Sequence, residues 1–167
     1  VLVVGSGGRE HAIIHKLSQS SKISELYCAP GNAGIAGIAQ CIDIKATDVT
    51  NIVAFSRDNN IDLVVVAPDD PLMLGMVDEL EKSSIKAFGP RKNAAIIEGS
   101  KVFAKELMKK YNIPTAHYEV FDNIKEAHAY IDEKGAPIVV KAEGLALGKG
   151  VVVANTVLEA KKAVTEI

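Results

Sequence analysis

The 167-residue sequence has no tryptophan and few other aromatic residues, only four tyrosines and four phenylalanines. Its two cysteines, Cys28 and Cys41, lie in different apolar segments without CxxC spacing, so the sequence indicates neither a disulfide framework nor a zinc site. We interpret both as reduced packing residues. No apolar run approaches the roughly eighteen residues of a membrane-spanning helix, and Val1–Val4 leads into glycines rather than into a signal-peptide pattern. These absences predict a cytoplasmic protein without a membrane partner.

Long runs of one charge are also missing. The 19 basic and 21 acidic residues give a formal net charge of −2 and are interspersed along the chain. Such a distribution lacks the cluster of basic residues that is typical of nucleic-acid-binding proteins. Because 48% of the residues are hydrophobic, we expect one or two domains with real cores. Small molecules are therefore the expected partners.

Short apolar runs alternate with stretches of helical periodicity over residues 1–90, which predicts an α/β fold with a Rossmann-like parallel sheet. The predicted strands are Val1–Val4, Leu26–Cys28, Ile42–Ile44, Leu63–Ala67 and Ala87–Phe88. The predicted helices are Glu10–Leu17, Val49–Arg57 and Leu72–Lys82, with Thr47 or Asp48 as a candidate cap of the second. We predict that residues 1–90 form the first domain.

Residues 91–112 are predicted to be a helical connection, with helices Asn93–Glu98 and Lys101–Tyr111 separated by Gly99-Ser100. Residues 113–167 form the second predicted region. Its elements are strand Tyr118–Phe121, helix Ile124–Glu133, strand Ile138–Ala142, a glycine-rich loop, strand Val151–Ala154 and a final helix. The sequence opens without methionine and ends in a helical stretch, so we expect a portion of a longer protein.

A glycine loop, Gly5–Gly8, lies between the first strand and the helix that begins near Glu10. Glycine amides and a helix N-terminus favour an anion such as phosphate. A dinucleotide fingerprint GxGxxG would need a third glycine at Glu10, where a carboxylate would repel a pyrophosphate. A plain strand-to-helix turn is equally compatible with these glycines. His11 and His15, one helical turn apart, could ligate a metal only with a third ligand, and we favour an ordinary helix-face pair.

Two further turns follow strands that end at the same edge of the predicted sheet. The first is Ala29–Gly34, which includes Gly31 and Asn32; its composition alone favours an ordinary loop. The second, Pro68–Pro71, includes the adjacent carboxylates of Asp69 and Asp70. These carboxylates could bind a ribose hydroxyl, an amine or a metal, or they could simply favour a turn.

The segment Val139–Val151 is the strongest local signal. An apolar strand places Lys141 at its end, three glycines follow, and Lys149 precedes the next strand. Lysine ammonium groups and glycine amides suit phosphate oxygens. The segment is not a Walker A loop, because Gly150 stands where Ser or Thr is required. A hairpin with a solvated lysine tip remains the alternative.

Six segments together resemble the glycinamide ribonucleotide synthetase family of ATP-grasp ligases in order and spacing, from end to end of the chain. They are Val3–Ala12, Ala29–Asn32, Phe88–Pro90, Glu98–Lys105, Ile113–Ala116 and Val139–Val151. The resemblance implies a pre-ATP-grasp domain that binds 5-phosphoribosylamine (1–90), then the connection (91–112) and an incomplete ATP-grasp small lobe (113–167). It also implies ATP-dependent ligation of glycine to 5-phosphoribosylamine through a glycyl phosphate, in purine synthesis.

By the same resemblance, eight residues would bind phosphoribosylamine: Gly7, Gly8, Arg9, Glu10, Gly31, Asn32, Asp69 and Asp70. Six would bind ATP: Lys101, Lys141, Gly144, Gly148, Lys149 and Gly150. No catalytic residue is assigned within this chain, and the ligands of Mg²⁺ or Mn²⁺ are expected beyond Ile167. The portion alone is therefore expected to be inactive.

Three positions depart from the family pattern. The family usually has Glu at Asp69, Asp at Glu143 and a small residue at Leu147, which puts individual substrate contacts in question more than the family. Two other functions stay open at this point. One is a different ATP-grasp carboxylate–amine ligase or carboxylase; the other is a dehydrogenase-like nucleotide-binding module.

Overall fold

The computed structural model describes residues 1–144 and 150–167. Within these ranges the chain divides into two compact units, Val1–Ile96 and Ile97–Ile167. The division of the chain into a domain at 1–90, a connection and a lobe at 113–167 stays a prediction. In the described ranges, no helix is both long and apolar enough to cross a membrane.

The first unit is a parallel sheet with helices, as its alternating pattern predicts. Its strands are β1 (Leu2–Gly5), β2 (Tyr27–Pro30), β3 (Gln40–Cys41), β4 (Val64–Val66) and β5 (Ala87–Phe88), in the spatial order β3-β2-β1-β4-β5. All four neighbouring pairs are parallel. The helices of this part are α1 (Gly8–Leu17), α2 (Val49–Asp58), α3 (Asp69–Met73), α4 (Met76–Lys82) and α5 (Lys92–Gly99), the last of which runs into the second unit.

The two faces of β1 carry separate hydrophobic cores, because successive side chains of a strand point to opposite faces. Leu2 and Val4 belong to the larger core, which includes Ile52 and Leu80. Val3 belongs to the smaller one with Ile14 of α1. All of these residues are fully buried. A central strand apolar on both faces is typical of a parallel sheet covered on both sides.

Two predicted elements of the first unit differ from the structure. The predicted helix Leu72–Lys82 is two helices, α3 and α4, because Gly75 between them has a left-handed backbone (φ +85°) that interrupts the helix. The third strand is Gln40–Cys41 rather than Ile42–Ile44. Ile42 and Ile44 pack against the larger core, which explains this apolar run. Their pairing with β2 is limited to the single hydrogen bond from the Ile42 amide to the Cys28 carbonyl.

The second unit contains helices α6 (Lys101–Lys110), α7 (Ile124–Lys134) and α8 (Val157–Glu166), and strands β6 (Ile138–Lys141) and β7 (Val151–Ala154). The strands form an antiparallel pair in which Lys141 is opposite Val151. Ile138 and Val140 pack with Ile131 of α7 and Ala160 of α8 in a small core. The sheet therefore has one face covered by helices.

The predicted strand Tyr118–Phe121 is absent, and side chains hold this segment instead. Lys105 of α6 donates to Thr115 Oγ1 (2.6 Å) and to the Ala116 carbonyl (3.0 Å), and its ammonium lies 5.5 Å from the Tyr118 ring centre. The Phe121 ring lies 5.2 Å from that of Tyr130. Alternating apolar residues alone do not make a strand, since a strand also needs a hydrogen-bonding neighbour.

The larger core makes the fold sensitive to Leu80. Replacing this fully buried side chain by alanine (Leu80→Ala) leaves a cavity and should lower the free energy of unfolding by about 2–5 kcal/mol. Leu74→Ala is the matched control: Leu74 is 54% exposed, and its loss should cost less than about 1 kcal/mol. Urea unfolding followed by circular dichroism measures both, and equal losses would contradict this assignment of the core.

Candidate functional site

Three turns lie together at the carboxyl edge of the parallel sheet, after β1, β2 and β4. β1 is the central strand, with β2 on one side and β4 on the other. The chain runs from β1 outward through β2 and β3, then crosses back to β4 beside β1, so the strand order reverses between β1 and β4. In open α/β sheets, the crevice outside the strand ends at such a reversal is the usual ligand site. The topology therefore places a candidate site at these turns.

The first turn combines exposed glycines with one buried carboxylate. Gly7 and Gly8 are exposed, and a Cβ at Gly8 would meet nothing within 4 Å. The N-terminal amides of α1 lack acceptors within the helix, and they carry the positive end of its dipole. This is the arrangement that binds anions. The open side of the turn is thus suited to a phosphate.

Glu10 lies on the inner side of the same turn. It is only 4% exposed, and its Oε2 accepts a hydrogen bond of 2.6 Å from the Gly7 amide. A Cβ at Gly5, where φ is +124°, would lie 2.7 Å from Glu10 Cγ. The carboxylate therefore fills the space inside the loop and fixes its shape. A dinucleotide fold would need a glycine at this point, which argues against the dehydrogenase-like alternative.

The second turn is bonded directly to the first. The Gly31 amide donates to the Gly5 carbonyl (3.0 Å), and Asn32 Nδ2 donates to the Ser6 carbonyl (2.8 Å). Gly31 has φ +75°, and a Cβ there would lie 2.5 Å from Cys41 Sγ. Glycine is therefore required at this position by both backbone and space. These contacts bring Gly31 and Asn32 beside the first loop, as the edge-sharing argument predicts.

The third turn is joined to the first by Arg9. Its Nη1 donates to the Ala67 carbonyl (3.0 Å) and lies 3.9 Å from Asp69 Oδ1. The Arg9 and Asp69 side chains are 62% and 41% exposed, so their attraction is screened and contributes little to stability. Asp70 is half-buried in the first turn of α3. The Arg9 guanidinium consequently spans the β1–β4 crevice with most of its donors open to a ligand.

The two histidines of α1 do not form a metal site. His11 packs against the second turn, where a Cβ at Gly34 would lie 2.7 Å from its Cε1. His15 Nε2 lies 3.2 Å from Gln19 Nε2. Over residues 1–144 and 150–167, no group of three or more His, Cys, Asp or Glu side chains could hold a metal ion. The described residues thus do not fit a divalent metal.

In the second unit, α6 is bonded to the residues that follow β6. Lys101, the first residue of α6, donates through Nζ to the Gly144 carbonyl. Glu143 accepts from Ser100 Oγ (2.5 Å) and from the Val102 amide (3.3 Å). Ser100 is also the N-cap of α6 and accepts from the Phe103 amide (3.0 Å). The base of the glycine-rich segment is therefore fixed to the N-terminus of α6.

Lys141 ends β6 on the face of the sheet away from α7 and α8. It shares this face with Val139, Val151 and Val153, which are 48%, 42% and 65% exposed. Lys141 is itself exposed, and Gly150 is buried. An apolar surface next to an ammonium group has the chemistry to bind a flat ring attached to phosphates. Gly148, Lys149 and Leu147 lie outside the described residues.

Sequence reasoning missed the side chains that position these loops. It did not anticipate the Ser100–Glu143 contact, the anchoring of residues 115–118 by Lys105, or the bridging role of Arg9 toward Ala67. Ser100 alone carried a local signal, because serine before a helix is a common N-cap. The other contacts join residues 10 to 58 positions apart, and no local pattern encodes such pairs.

Two family models together match the chain from residue 1 to residue 167. Residues 1–98 match the model for the phosphoribosylglycinamide synthetase N domain, and residues 99–167 match the model for the ATP-grasp (A) domain of the same enzyme. The chain belongs to the phosphoribosylglycinamide synthetase family. The α/β class and the ATP-grasp family predicted from the sequence are thereby confirmed.

Individual relatives agree with this membership in the phosphoribosylglycinamide synthetase family. The chain is 51% identical over 162 residues to a phosphoribosylamine–glycine ligase from Caldanaerobacter subterraneus subsp. tengcongensis, covering 97% of this chain and 39% of the relative. It resembles the crystal structure of a phosphoribosylamine–glycine ligase from Thermotoga maritima, with 32% identity and a TM-score of 0.75 over 96% of this chain and 37% of that one.

A likeness in fold alone extends to an N5-carboxyaminoimidazole ribonucleotide synthetase from Thermus thermophilus. The identity is 14% and the TM-score 0.74, over 99% of this chain and 44% of the other. The chain thus spans about two fifths of the length of the curated relatives that it matches.

The cysteines provide a test of the packing beneath the site. Cys28 is fully buried in β2 and its Sγ donates to the Gly5 carbonyl (3.3 Å). Burial raises the pKa of the Cys28 thiol to about 12 from its usual 9.0. Because only the thiolate reacts with alkylating agents, Cys28 should stay unmodified by iodoacetamide at pH 8 in the folded protein. Mass spectrometry of native and urea-unfolded samples measures this.

The same shift predicts how stability depends on pH. The unfolded thiol ionises near pH 9.0 and the folded one near 12, so the contribution of Cys28 to stability is lost as pH rises across that window. Cys28→Ala should flatten this part of the stability curve. Alkylation of native Cys28 at the rate of the unfolded chain would contradict its burial.

Proposed function

We propose that this chain is the front part of an ATP-dependent ligase that joins glycine to 5-phosphoribosylamine, in purine synthesis. ATP would phosphorylate the glycine carboxylate, and the amine of phosphoribosylamine would attack the glycyl phosphate to give glycinamide ribonucleotide, ADP and phosphate. The observation that carries this proposal is the match of both family models, end to end, to a chain about 50% identical to enzymes named phosphoribosylamine–glycine ligase.

We assign phosphoribosylamine to the three turns of the first unit. Its 5-phosphate would accept hydrogen bonds from the amides of Gly8 and Arg9, at the start of α1, and from the free side-chain donors of Arg9. Gly31 would let the second turn approach the same group. Asp69 and Asp70, at the far side of the crevice, have the chemistry to accept from ribose hydroxyls or from the amine. Glu10 would act by shaping the first turn, since its carboxylate is bonded to Gly7.

We assign ATP to the second unit. The ammonium groups of Lys101 and Lys141 would pair with phosphate oxygens, and the amides of Gly144, Gly148 and Gly150 would approach the same oxygens together with Lys149. In the proposed mechanism this segment closes over the phosphates. Closure would exclude water from the acyl phosphate, which hydrolyses readily. By the family resemblance, Mg²⁺ or Mn²⁺ would be held by residues beyond Ile167.

A different ATP-grasp activity is the second candidate. The likeness in fold to the carboxyaminoimidazole ribonucleotide synthetase favours it only at the level of architecture, because the identity is 14%. A carboxylase would depend on bicarbonate, whereas the proposed ligase depends on glycine. The two activities are therefore distinguishable by their requirements. For the glycine-dependent ligase we also propose a location in the cytoplasm.

The proposed reaction is tested with the full-length protein that contains this chain. ADP release should require both glycine and phosphoribosylamine, and omission of either should reduce it to background. Mass spectrometry should detect glycinamide ribonucleotide in an amount equal to the ADP. ADP release that depends on bicarbonate but not on glycine would favour the second candidate and contradict the ligase.

The two lysines of the second unit are tested by removing their charges. Lys101→Ala and Lys141→Ala should each lower kcat/KM for ATP about 10- to 100-fold, since a charge-assisted hydrogen bond contributes about 1.5–3 kcal/mol. The KM for phosphoribosylamine should change little. Lys134→Ala is the control, because Lys134 pairs with its exposed neighbour Glu133 at the end of α7. Unchanged ATP kinetics in both lysine variants would refute the assignment.

A further inference from the structure

Asn32 uses both polar atoms of its side chain inside the protein. Its Oδ1 accepts from the amides of Gly34 (2.9 Å) and Ile35 (3.0 Å), and its Nδ2 donates to the Ser6 carbonyl (2.8 Å). The oxygen thus shapes the second turn, and the nitrogen bonds that turn to the first. The amide plane is fixed from both ends, so it cannot rotate toward a ligand without breaking these bonds.

Two other contacts join the same pair of turns. The Gly31 amide donates to the Gly5 carbonyl (3.0 Å), and the His11 ring fills the space beside Gly34. The Asn32 carbonyl accepts from the Ala36 amide (3.0 Å), which continues the turn into a short 3₁₀ helix, Ile35–Gly37. Among the hydrogen bonds that join or shape these turns, those of the Asn32 side chain can be removed by a side-chain change, whereas the Gly31–Gly5 and Ala36–Asn32 bonds are made by the backbone.

We propose that Asn32 is a positioning residue: it holds the second turn against the first, so that the backbone amides of Gly8 and Arg9, rather than the Asn32 side chain, receive the phosphate of phosphoribosylamine. The inference rests on the proposed function. Its physical basis is preorganisation, because a loop that is already ordered does not lose conformational entropy when the ligand binds. Loosening the turn should therefore weaken phosphoribosylamine binding and leave the chemical step unchanged.

The test uses Asn32→Asp and Asn32→Ala in the full-length protein. The aspartate keeps the acceptor for Gly34 and Ile35 but replaces the donor to Ser6 with an oxygen; the alanine removes all three bonds without adding charge. Each should raise the KM for phosphoribosylamine about three- to tenfold, as expected for the loss of a neutral hydrogen bond at a preorganised site. The kcat and the KM values for ATP and glycine should stay within about twofold.

Hydrogen exchange of the ligand-free protein distinguishes positioning from direct contact. If Asn32 acts by ordering the first turn, the amides of residues 6–9 should exchange faster in Asn32→Ala than in the wild type. An increased KM with unchanged exchange would identify Asn32 as a direct ligand and overturn the proposal. An unchanged KM for phosphoribosylamine in both variants would also overturn it.

Asn59→Asp is the matched control. Asn59 Nδ2 also donates to a backbone carbonyl, that of Phe55 at 2.9 Å, but at the end of α2 and outside the three turns. This variant should keep the wild-type KM for all three substrates.

Failure of the proposed function gives a different result from failure of this inference. If the proposed function is wrong, ADP release by the wild type does not require glycine and phosphoribosylamine, whereas hydrogen exchange still differs between Asn32→Ala and the wild type.

Discussion

Side-chain donors that bond to backbone carbonyls are the constraint on which the candidate site depends. Asn32 donates to Ser6, and Arg9 donates to Ala67, so each joins two turns that follow different strands. The parallel sheet supplies the common edge, and these two bonds, together with that from the Gly31 amide to the Gly5 carbonyl, join the turns along it. The first turn can then present its amides to an anion, because its neighbours on both sides already hold it in place.

The second unit also fixes a loop through a side chain, but there the side chain accepts the hydrogen bonds. There a carboxylate, Glu143, accepts from Ser100 and from the N-terminal amide of Val102. A helix N-terminus favours a negative group, both through its unpaired amides and through its dipole. Fixing the residues after β6 in this way also brings the Lys101 ammonium to the Gly144 carbonyl. In both units, hydrogen bonds between side chains and the backbone of a neighbouring segment determine where the proposed ligand groups lie.

The sequence predicted those parts of the fold that follow from local chemistry. Buried strands appeared as apolar runs, and Asp48, one of the two candidate caps of the second helix, is the N-cap of α2. The predicted helix Leu72–Lys82, however, runs through Gly75, whose left-handed backbone divides α3 from α4. Tyr118–Phe121 has the composition of a strand but not a partner. Long-range bonds such as Arg9 to Ala67 had no local signature, so the contacts that position the candidate residues were not predictable from the sequence.

The geometry around residue 143 explains why its side chain is glutamate, one methylene longer than aspartate. The family resemblance led us to expect aspartate here, and the charge alone does not explain the difference. In this chain the carboxylate reaches two groups at the start of α6, at 2.5 Å from Ser100 Oγ and 3.3 Å from the Val102 amide. The second bond is already near the long limit for a hydrogen bond. An aspartate with the same backbone would retreat from the helix by about 1.5 Å, the length of a carbon–carbon bond. It could therefore keep both contacts only if the residues after β6 moved toward α6, so the longer side chain suits the distance between residue 143 and the start of α6 in this protein.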